Sequence, residues 1–244
     1  MNDGLDNWLS EDIEISKNRI VTKPDIDHDM SERWHRDRYK ESHLPAEFWS
    51  LTLDDNWISK QDIRGNDLTR QQAKKKQAAL EFVQKYISVI SYVCRGKLLK
   101  KQTKDGQRSH GFHSMVLIGG EGSGKSFLAA EIAKAAVLRG EDVRWYDYCA
   151  LTNTMLSRSY TVEEEQHQII QDFESMALIV VDAVETDKID DKGRIALKSL
   201  ARARRASGLP WIITCKHDAL QVTEHPFSEL INSQYAHKIV LPTS

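Results

Sequence analysis

The sequence feature that most constrains this chain is the run of eight residues from Gly119 to Ser126, Gly-Gly-Glu-Gly-Ser-Gly-Lys-Ser. It fits the pattern G-x-x-x-x-G-K-[ST] at every fixed position. Glycines let the backbone curl so that successive N–H groups point inward at a phosphate. The pattern assigns Lys125 to the β- and γ-phosphates and the Ser126 hydroxyl to a Mg²⁺ ion. The sequence therefore predicts a phosphate-binding loop.

The segments on either side of this loop have the composition that the motif requires. Residues 114–118 are Ser-Met-Val-Leu-Ile, which predicts a buried strand, and the alanine-rich residues 127–136 predict a helix. This order of strand, loop and helix favours a phosphate-binding loop over an incidental Gly/Ser turn. We therefore expect ATP or ADP with Mg²⁺ as cofactor. The expected nucleotide contacts are Gly119, Gly120, Glu121, Gly122, Ser123, Gly124, Lys125, Ser126 and Phe127.

Strands and helices alternate from residue 114 onward. Apolar runs predict further strands at residues 142–148, 177–182, 211–215 and 237–241. Helical patterns cover residues 151–157, 162–175, 192–207 and 227–234, the second of them after a Thr161/Glu164 capping box. Alternation of this kind predicts an α/β fold in which a five-stranded parallel sheet lies between helices.

Asp182 is the second residue to which the sequence assigns nucleotide chemistry. It ends the wholly apolar third strand, which is the position at which P-loop nucleotide hydrolases hold their Mg²⁺ carboxylate. Its distance from the phosphate loop suits a fold with one strand inserted between the two motifs. We expect Ser126 and Asp182 to be the metal ligands. The alternative is an aspartate that only caps the next turn.

Residues 1–66 are the least periodic part of the chain, with short helices expected at residues 5–10 and 30–41. Trp8, Trp34, Phe48, Trp49 and Trp57 are scattered among charged residues, which is too many aromatics for a fully disordered tail. Two interpretations remain open. Either these rings fold back onto the rest of the chain, or they anchor a partner protein. We take residues 1–66 as a partner-binding segment and residues 67–244 as the nucleotide-binding domain.

A linker helix is expected over residues 67–94, capped by Asp67 or Thr69. Its apolar stripe of Leu80, Val83, Ile87 and Ile90 predicts docking on the core, and the lysine run 74–76 is most often a solvated face. Residues 95–108 follow as a basic loop with six basic residues against one acidic residue. This loop is either solvated or bound to the phosphates of single-stranded DNA. The basic residues are Arg95, Lys97, Lys100, Lys101, Lys104 and Arg108.

Composition limits the class of protein further. A net charge of −2 excludes a globally basic nucleic-acid binder but permits a local basic face. The three cysteines show no C-x-x-C spacing and are expected to be reduced thiols. The acidic N-terminus predicts no signal peptide, and no apolar run approaches the roughly 18 residues of a membrane span. We therefore expect a soluble cytoplasmic protein with no membrane partner.

Three stretches resemble the DnaC/IstB-like branch of the AAA+ ATPases, which includes replicative helicase loaders and transposition helper ATPases. They read VLIGGEGSGKSFLAAEIAKAAVLRGEDVRWYDY, ALIVVDAVE and LARARRASGLPWIITCKHDAL, and the resemblance covers about residues 76–241. It implies an AAA+ core without a large C-terminal helical lid, ATP-Mg²⁺ binding, self-association, and single-stranded DNA along the oligomer. It also implies that residues 1–66 bind a replicative helicase, or a transposase in the second group, in DNA replication or in a mobile element such as a phage.

The departures from this family concern hydrolysis. The family follows its metal aspartate with a glutamate that polarises water, whereas this chain has Ala183, and Glu185 is the nearest carboxylate. The sensor position after the fourth strand, commonly Asn, is Lys216. No arginine lies in residues 227–234, where one would reach a neighbour's γ-phosphate, so we consider Arg204, with Arg202 and Arg205, as substitutes. The catalytic candidates are therefore Glu185, Lys216 and Arg204.

Because the binding parts are present and the hydrolytic parts are missing, we expect weak or partner-dependent ATP hydrolysis. The first hypothesis is an ATP-binding protein that resembles a helicase loader. The alternatives are a non-hydrolysing adaptor or regulator and a transposition helper ATPase. A metabolic P-loop kinase is a weaker fourth, because no second substrate site can be read from the sequence.

Overall fold

The computed structural model describes residues 28–52, 69–95, 100–102, 108–110, 114–157, 162–184, 191–216, 225–228 and 236–242. By its internal contacts the chain divides into two units, Met1–Trp34 and His35–Ser244, and the second unit contains every described strand. Several predictions from the sequence lie outside the described residues. They are the helix at residues 5–10, Trp8, Trp57, Asp67, Lys97, Lys104, the Thr161 cap, Glu185 and most of the helix at residues 227–234.

The described chain contains seven strands and seven α-helices. The strands are β1 (Lys100–Gln102), β2 (Arg108–His110), β3 (Ser114–Ile118), β4 (Val143–Asp147), β5 (Leu178–Val184), β6 (Trp211–Cys215) and β7 (Ala236–Val240). The helices are α1 (His28–Glu41), α2 (Arg70–Ser88), α3 (Ile90–Cys94), α4 (Lys125–Leu138), α5 (Tyr148–Leu156), α6 (Glu163–Ser175) and α7 (Asp191–Ser207). A short 3-10 helix spans Ala46–Phe48.

Strands β3 to β7 form one sheet in the order β4-β5-β6-β3-β7, and every neighbouring pair is parallel. The prediction of a five-stranded parallel sheet is confirmed. Side chains alternate along β3, so that Met115 and Leu117 join one core while Val116 and Ile118 join the other. The first core also contains residues of α2, α3 and α4, and the second contains residues of α5, α6 and α7. A parallel sheet covered in this way needs apolar residues on both faces.

The linker helix is interrupted. A single linker helix over residues 67–94 is the expectation from the sequence, but α2 ends at Ser88 and α3 begins at Ile90, with Val89 between them at φ −111°. The Ser88 hydroxyl donates to the carbonyl of Lys85 at 2.7 Å, a side-chain bond that competes with the helical ladder at this point. Of the two expected caps, Thr69 is seen in that role, and it forms a capping box with Gln72.

Two of the N-terminal aromatic side chains fold back onto the core. Phe48 and Trp49 pack against the cluster that includes α4, and the rings of Phe48 and Trp145 lie 5.8 Å apart. The Trp49 indole N–H donates to the carbonyl of Leu44 at 2.9 Å. For these two rings the first interpretation therefore holds, because each has become part of a packed core.

The basic residues 95–108 are not a continuous loop. Strands β1 and β2 pair in antiparallel fashion, with Lys101 opposite Ser109, so the loop prediction is wrong for these segments. Arg95 forms an ion pair with Glu141 at 3.0 Å.

The three cysteines are free; Cys94 and Cys215 are buried and Cys149 is exposed. Burial raises the pKa of the Cys94 thiol to about 12 and that of Cys215 to about 11. Within the described part of the chain, no helix is both long enough and apolar enough to cross a membrane.

Candidate nucleotide-binding site

The predicted phosphate loop joins the carboxyl end of β3 to the start of α4. Its first residue is held by the neighbouring strand, since the Gly119 N–H donates to the carbonyl of Cys215 at 3.2 Å. A Cβ atom on Gly119 would lie 2.7 Å from the Ser123 hydroxyl and 3.2 Å from Leu241. Glycine is required here because the loop turns back closely against its own serine.

The end of the loop leaves the amino terminus of α4 open to an anion. Gly122 and Gly124 have φ values of 72° and 90°, the left-handed region that glycine tolerates without strain. Gly124 is the N-cap residue, and neither a side-chain cap nor an acidic residue in the first turn accompanies it. The N–H groups and the positive end of the helix dipole therefore face the loop, which is the arrangement that binds phosphate.

Lys125 lies over the loop that precedes it. Its ammonium group donates to the carbonyl of Gly120 at 2.6 Å and to the Ser123 hydroxyl at 3.4 Å. Burial lowers the pKa of Lys125 below its ordinary value, while Asp182 raises it and the charge of Lys216 lowers it. The contact with Gly120 keeps the cation at the centre of the loop.

Ser126 and Asp182, predicted as metal ligands from two distant stretches, lie together. The Ser126 hydroxyl donates to Asp182 Oδ1 at 2.8 Å. A hydroxyl and a carboxylate are ligands that Mg²⁺ accepts, and this ion commonly takes its remaining ligands from water and substrate phosphates. The donor set therefore fits Mg²⁺. Among the described residues no group of three His, Cys, Asp or Glu side chains could hold a metal.

Thr214 is a residue of this site that the sequence interpretation missed. It is fully buried on β6, and its hydroxyl donates to Asp182 Oδ1 at 2.5 Å. The same hydroxyl accepts the Ala183 N–H at 2.8 Å. A polar residue within the apolar run Trp211–Cys215 was the available signal. Thr214 thus fixes both the metal carboxylate and the backbone that follows it.

Ala183 occupies the position expected to hold a catalytic glutamate, and its backbone is unusual. Its φ is 59°, in the left-handed region, and the pairing of β5 with β6 shifts register between Val181 and Val184. An L-residue with a Cβ adopts this conformation only when its surroundings impose it. The hydrogen bond from Ala183 to Thr214 is the interaction that imposes it here.

Arg204, one of the candidate catalytic residues, is held away from this site. Arg204 is fully buried, and its guanidinium donates to the carbonyl of Met176 at 2.6 Å and to those of Phe173, Ala177 and Pro210. Burial lowers its pKa to about 9. The proposal of Arg204 as a catalytic cation is corrected accordingly, because its donors hold the ends of α6 and α7 in place.

The other candidates are placed differently. Lys216 is exposed and directly follows β6, one residue beyond the carbonyl that holds Gly119. Arg202 and Arg205 are exposed on α7. Glu185 lies outside the described residues.

The parallel sheet, the phosphate loop after β3 and the Ser126–Asp182 pair define a P-loop nucleotide-binding protein of the AAA+ type. The sequence profile of the IstB-like ATP binding proteins matches residues 48–217. The chain therefore belongs to the family of IstB-like ATP-binding proteins.

Solved structures show the same fold. The chain resembles the DnaC helicase loader with 14% identity and a TM-score of 0.50, over 68% of this chain and 90% of that one. It resembles AMPPCP-bound DnaA from Aquifex aeolicus with 14% identity and a TM-score of 0.50, over 76% of this chain and 51% of that one. A DNA replication initiation factor matches with 14% identity and a TM-score of 0.51, over 68% and 46% of the two chains. The match thus spans about half of the DnaA structure. No curated protein sequence matches this chain.

Proposed function

We propose that this protein binds ATP-Mg²⁺ and assembles, like a helicase loader, with a replicative helicase and single-stranded DNA during DNA replication in the cytoplasm. We further propose that ATP hydrolysis is weak or depends on the partner. The observation that carries the proposal is the Ser126–Asp182 hydrogen bond of 2.8 Å beside a complete phosphate loop, with Ala183 where a water-activating carboxylate would stand.

The nucleotide would be held by groups that already face one another. Backbone N–H groups at the start of α4 would bind the β-phosphate, and the Lys125 ammonium would exchange the Gly120 carbonyl for phosphate oxygens. Ser126 and Asp182 would hold Mg²⁺, and Thr214 would keep the Asp182 carboxylate in place. When bound, the ion neutralises negative charge on the phosphate oxygens.

Hydrolysis needs two groups, and neither Ala183 nor Arg204 supplies one of them. A side chain must orient the attacking water, and positive charge must meet the transferring phosphoryl group. The methyl group of Ala183 cannot accept a proton. The Arg204 guanidinium is engaged with four carbonyl groups, so it is not available to a neighbouring subunit. These two observations support weak turnover and favour, as a second candidate, an adaptor that uses the bound nucleotide only to stabilise its assembly.

We assign partner binding to residues 1–66. Because Phe48 and Trp49 are used in the core, the contact would come from other parts of this segment. Trp34, with 41% of its surface exposed, is the described aromatic that best suits an anchoring role.

The deciding experiment measures ATP turnover by the full chain alone, with oligo(dT), and with oligo(dT) plus a purified hexameric replicative helicase. Loading is measured as the amount of helicase transferred onto a closed circular single strand of DNA. We expect low basal turnover and loading only in the presence of ATP. Loading without nucleotide would favour the adaptor, and association with a transposase in place of the helicase would favour the transposition helper.

DNA contact by the basic stretch 95–108 has its own test. Replacement of Lys97, Lys100, Lys101 and Lys104 by Gln should weaken binding to oligo(dT) and flatten its dependence on salt, because fewer counterions are released. If the dependence of affinity on salt is unaltered, these lysines are solvated and do not contact DNA.

A further inference from the structure

The positive charge of this chain is concentrated in one stretch. Eleven basic and two acidic residues lie between Arg70 and Arg108, although the whole chain has a net charge of −2. The remainder of the protein is therefore strongly acidic. About half of this basic stretch is helix α2, whose lysine run 74–76 the sequence interpretation treated as a solvated face.

Four of the five basic residues of α2 are exposed to solvent, whereas Lys76 is half-buried. Its buried residues are Ala79, Leu80, Val83 and Tyr86. Arg70, Lys74 and Lys75 are exposed in its first two turns, and Lys85 is exposed near its end. With about 100° of rotation per residue, Arg70, Lys74 and Lys85 project within roughly 60° of one another, on the side opposite the buried residues. Lys75 projects about 100° round the helix from Lys74, on the flank of this surface, and the exposed Glu81 lies among the cations. We call this surface, made by Arg70, Lys74, Lys75 and Lys85, the α2 basic face.

The cations in the first two turns of α2 oppose the stability of this helix, whereas Lys85 in its last turn, four residues after Glu81, is favourable. Cations at a helix amino terminus are unfavourable, and so are like charges four residues apart, such as Arg70 and Lys74. The first turn of α2 contains no acidic residue, whereas that of α6 contains Glu163, Glu164 and Glu165. A bound polyanion would relieve both repulsions, while a merely solvated face gives no reason for them.

We propose that the α2 basic face, made by Arg70, Lys74, Lys75 and Lys85, binds the backbone of single-stranded DNA. The proposal rests on the function proposed above and assigns to it a surface beyond residues 95–108. Tyr92 lies on α3, the helix that follows α2 after the break at Val89, and half of its surface is exposed. Cations and an accessible aromatic ring on successive helices suit a single strand, because its unpaired bases can stack.

The test uses the full chain and a fluorescein-labelled 30-nucleotide oligo(dT), with anisotropy measured over a series of NaCl concentrations. The triple variant Arg70→Gln, Lys74→Gln, Lys75→Gln should bind about tenfold or more weakly at low salt. The slope of log affinity against log salt should fall in magnitude by about 2, since each lost phosphate contact on a single strand removes roughly 0.7. A control variant with the same change in charge is Lys40→Gln, Arg202→Gln, Lys238→Gln, at exposed positions on other elements, and its affinity should change less than about twofold.

Two further measurements separate binding from folding. The triple variant should have an unchanged or higher melting temperature, because it removes cations from the positive end of α2. The charge-preserving variant Arg70→Lys, Lys74→Arg, Lys75→Arg should keep its affinity. If the Gln variant is less stable than the unaltered protein, the affinity of the charge-preserving variant and the salt slope still test whether the α2 basic face binds DNA.

Several results would overturn the proposal. The first is an equal affinity of the triple variant and its control for oligo(dT). The second is a loss of affinity only in the variant of Lys97, Lys100, Lys101 and Lys104. The third is competition by polyglutamate that is as effective as competition by unlabelled oligo(dT). Absence of DNA binding would overturn it too, while ATP-dependent helicase association would remain as the separate test of the proposed function.

Discussion

The phosphate loop after β3 and the end of β5 lie side by side, joined by the hydrogen bond from Ser126 to Asp182, yet they are equipped for different steps. The loop presents a lysine, a hydroxyl and an uncapped helix terminus, which are the groups that stabilise a bound triphosphate. One residue beyond Asp182, the strand presents the Ala183 methyl group on a left-handed backbone. The difference shows that ground-state binding and transition-state stabilisation depend on separate groups, so one can be retained without the other.

The largest effect should come from the loop. Lys125→Ala removes a charge-assisted contact worth about 1.5–3 kcal/mol, so ATP affinity should fall tenfold or more. Isothermal titration calorimetry measures this directly, with the exposed Lys40→Ala as the control for loss of a positive charge. If Lys125→Ala binds ATP with unchanged affinity, the assignment of this loop as the nucleotide-binding site is wrong.

The next effect concerns the residue that links the two regions. Thr214→Val should lower the free energy of unfolding by about 1–3 kcal/mol, because the Ala183 N–H loses its acceptor and Asp182 loses a donor. Thr214→Ser keeps the hydroxyl and serves as the control. Chemical denaturation of the three proteins provides the measurement, and equal stability of the Val and Ser variants would contradict the role given to this hydroxyl.

At the end of β5, Ala183→Glu should raise steady-state ATP turnover by about tenfold, which is less than the roughly 10²–10⁴-fold that a well-positioned base contributes. Glu185→Gln in the unaltered background should change turnover little. The rate of phosphate release measures the turnover of both variants. Brisk turnover of the unaltered protein that Glu185→Gln abolishes would place the catalytic carboxylate at residue 185.

The smallest effect tests the left-handed conformation itself. Ala183→Gly should stabilise the protein by roughly 0.5–1 kcal/mol, because relief of about 1–2 kcal/mol of backbone strain exceeds the added entropy of the unfolded chain. The same substitution at the exposed Ala78 in α2 should destabilise by about 1 kcal/mol. Thermal unfolding distinguishes them, and a loss of stability in both would show that position 183 carries no strain.

Features that depend on local sequence were predictable. The glycines of the loop, the strand before it and the alanine-rich helix after it are dictated by backbone geometry and by burial within a few residues. Strands β3, β5 and β6 could be recognised because the central strands of a parallel sheet are buried on both faces and require continuous apolar runs. The break at Val89 escaped detection, since it depends on one serine hydroxyl that competes with a helix whose apolar stripe continues across it.

Contacts between elements that are far apart in the chain could not be predicted from local sequence. The sequence by itself determined the phosphate loop, the fold class and the pairing of Ser126 with a strand-terminal aspartate. Only the tertiary structure decided that Thr214 meets Asp182, that Arg204 is buried among carbonyl groups, and that Phe48 belongs to a core. Neighbouring residues fix backbone conformation, but the partner of a buried polar group is set by packing between segments far apart in the chain, and no local pattern records it.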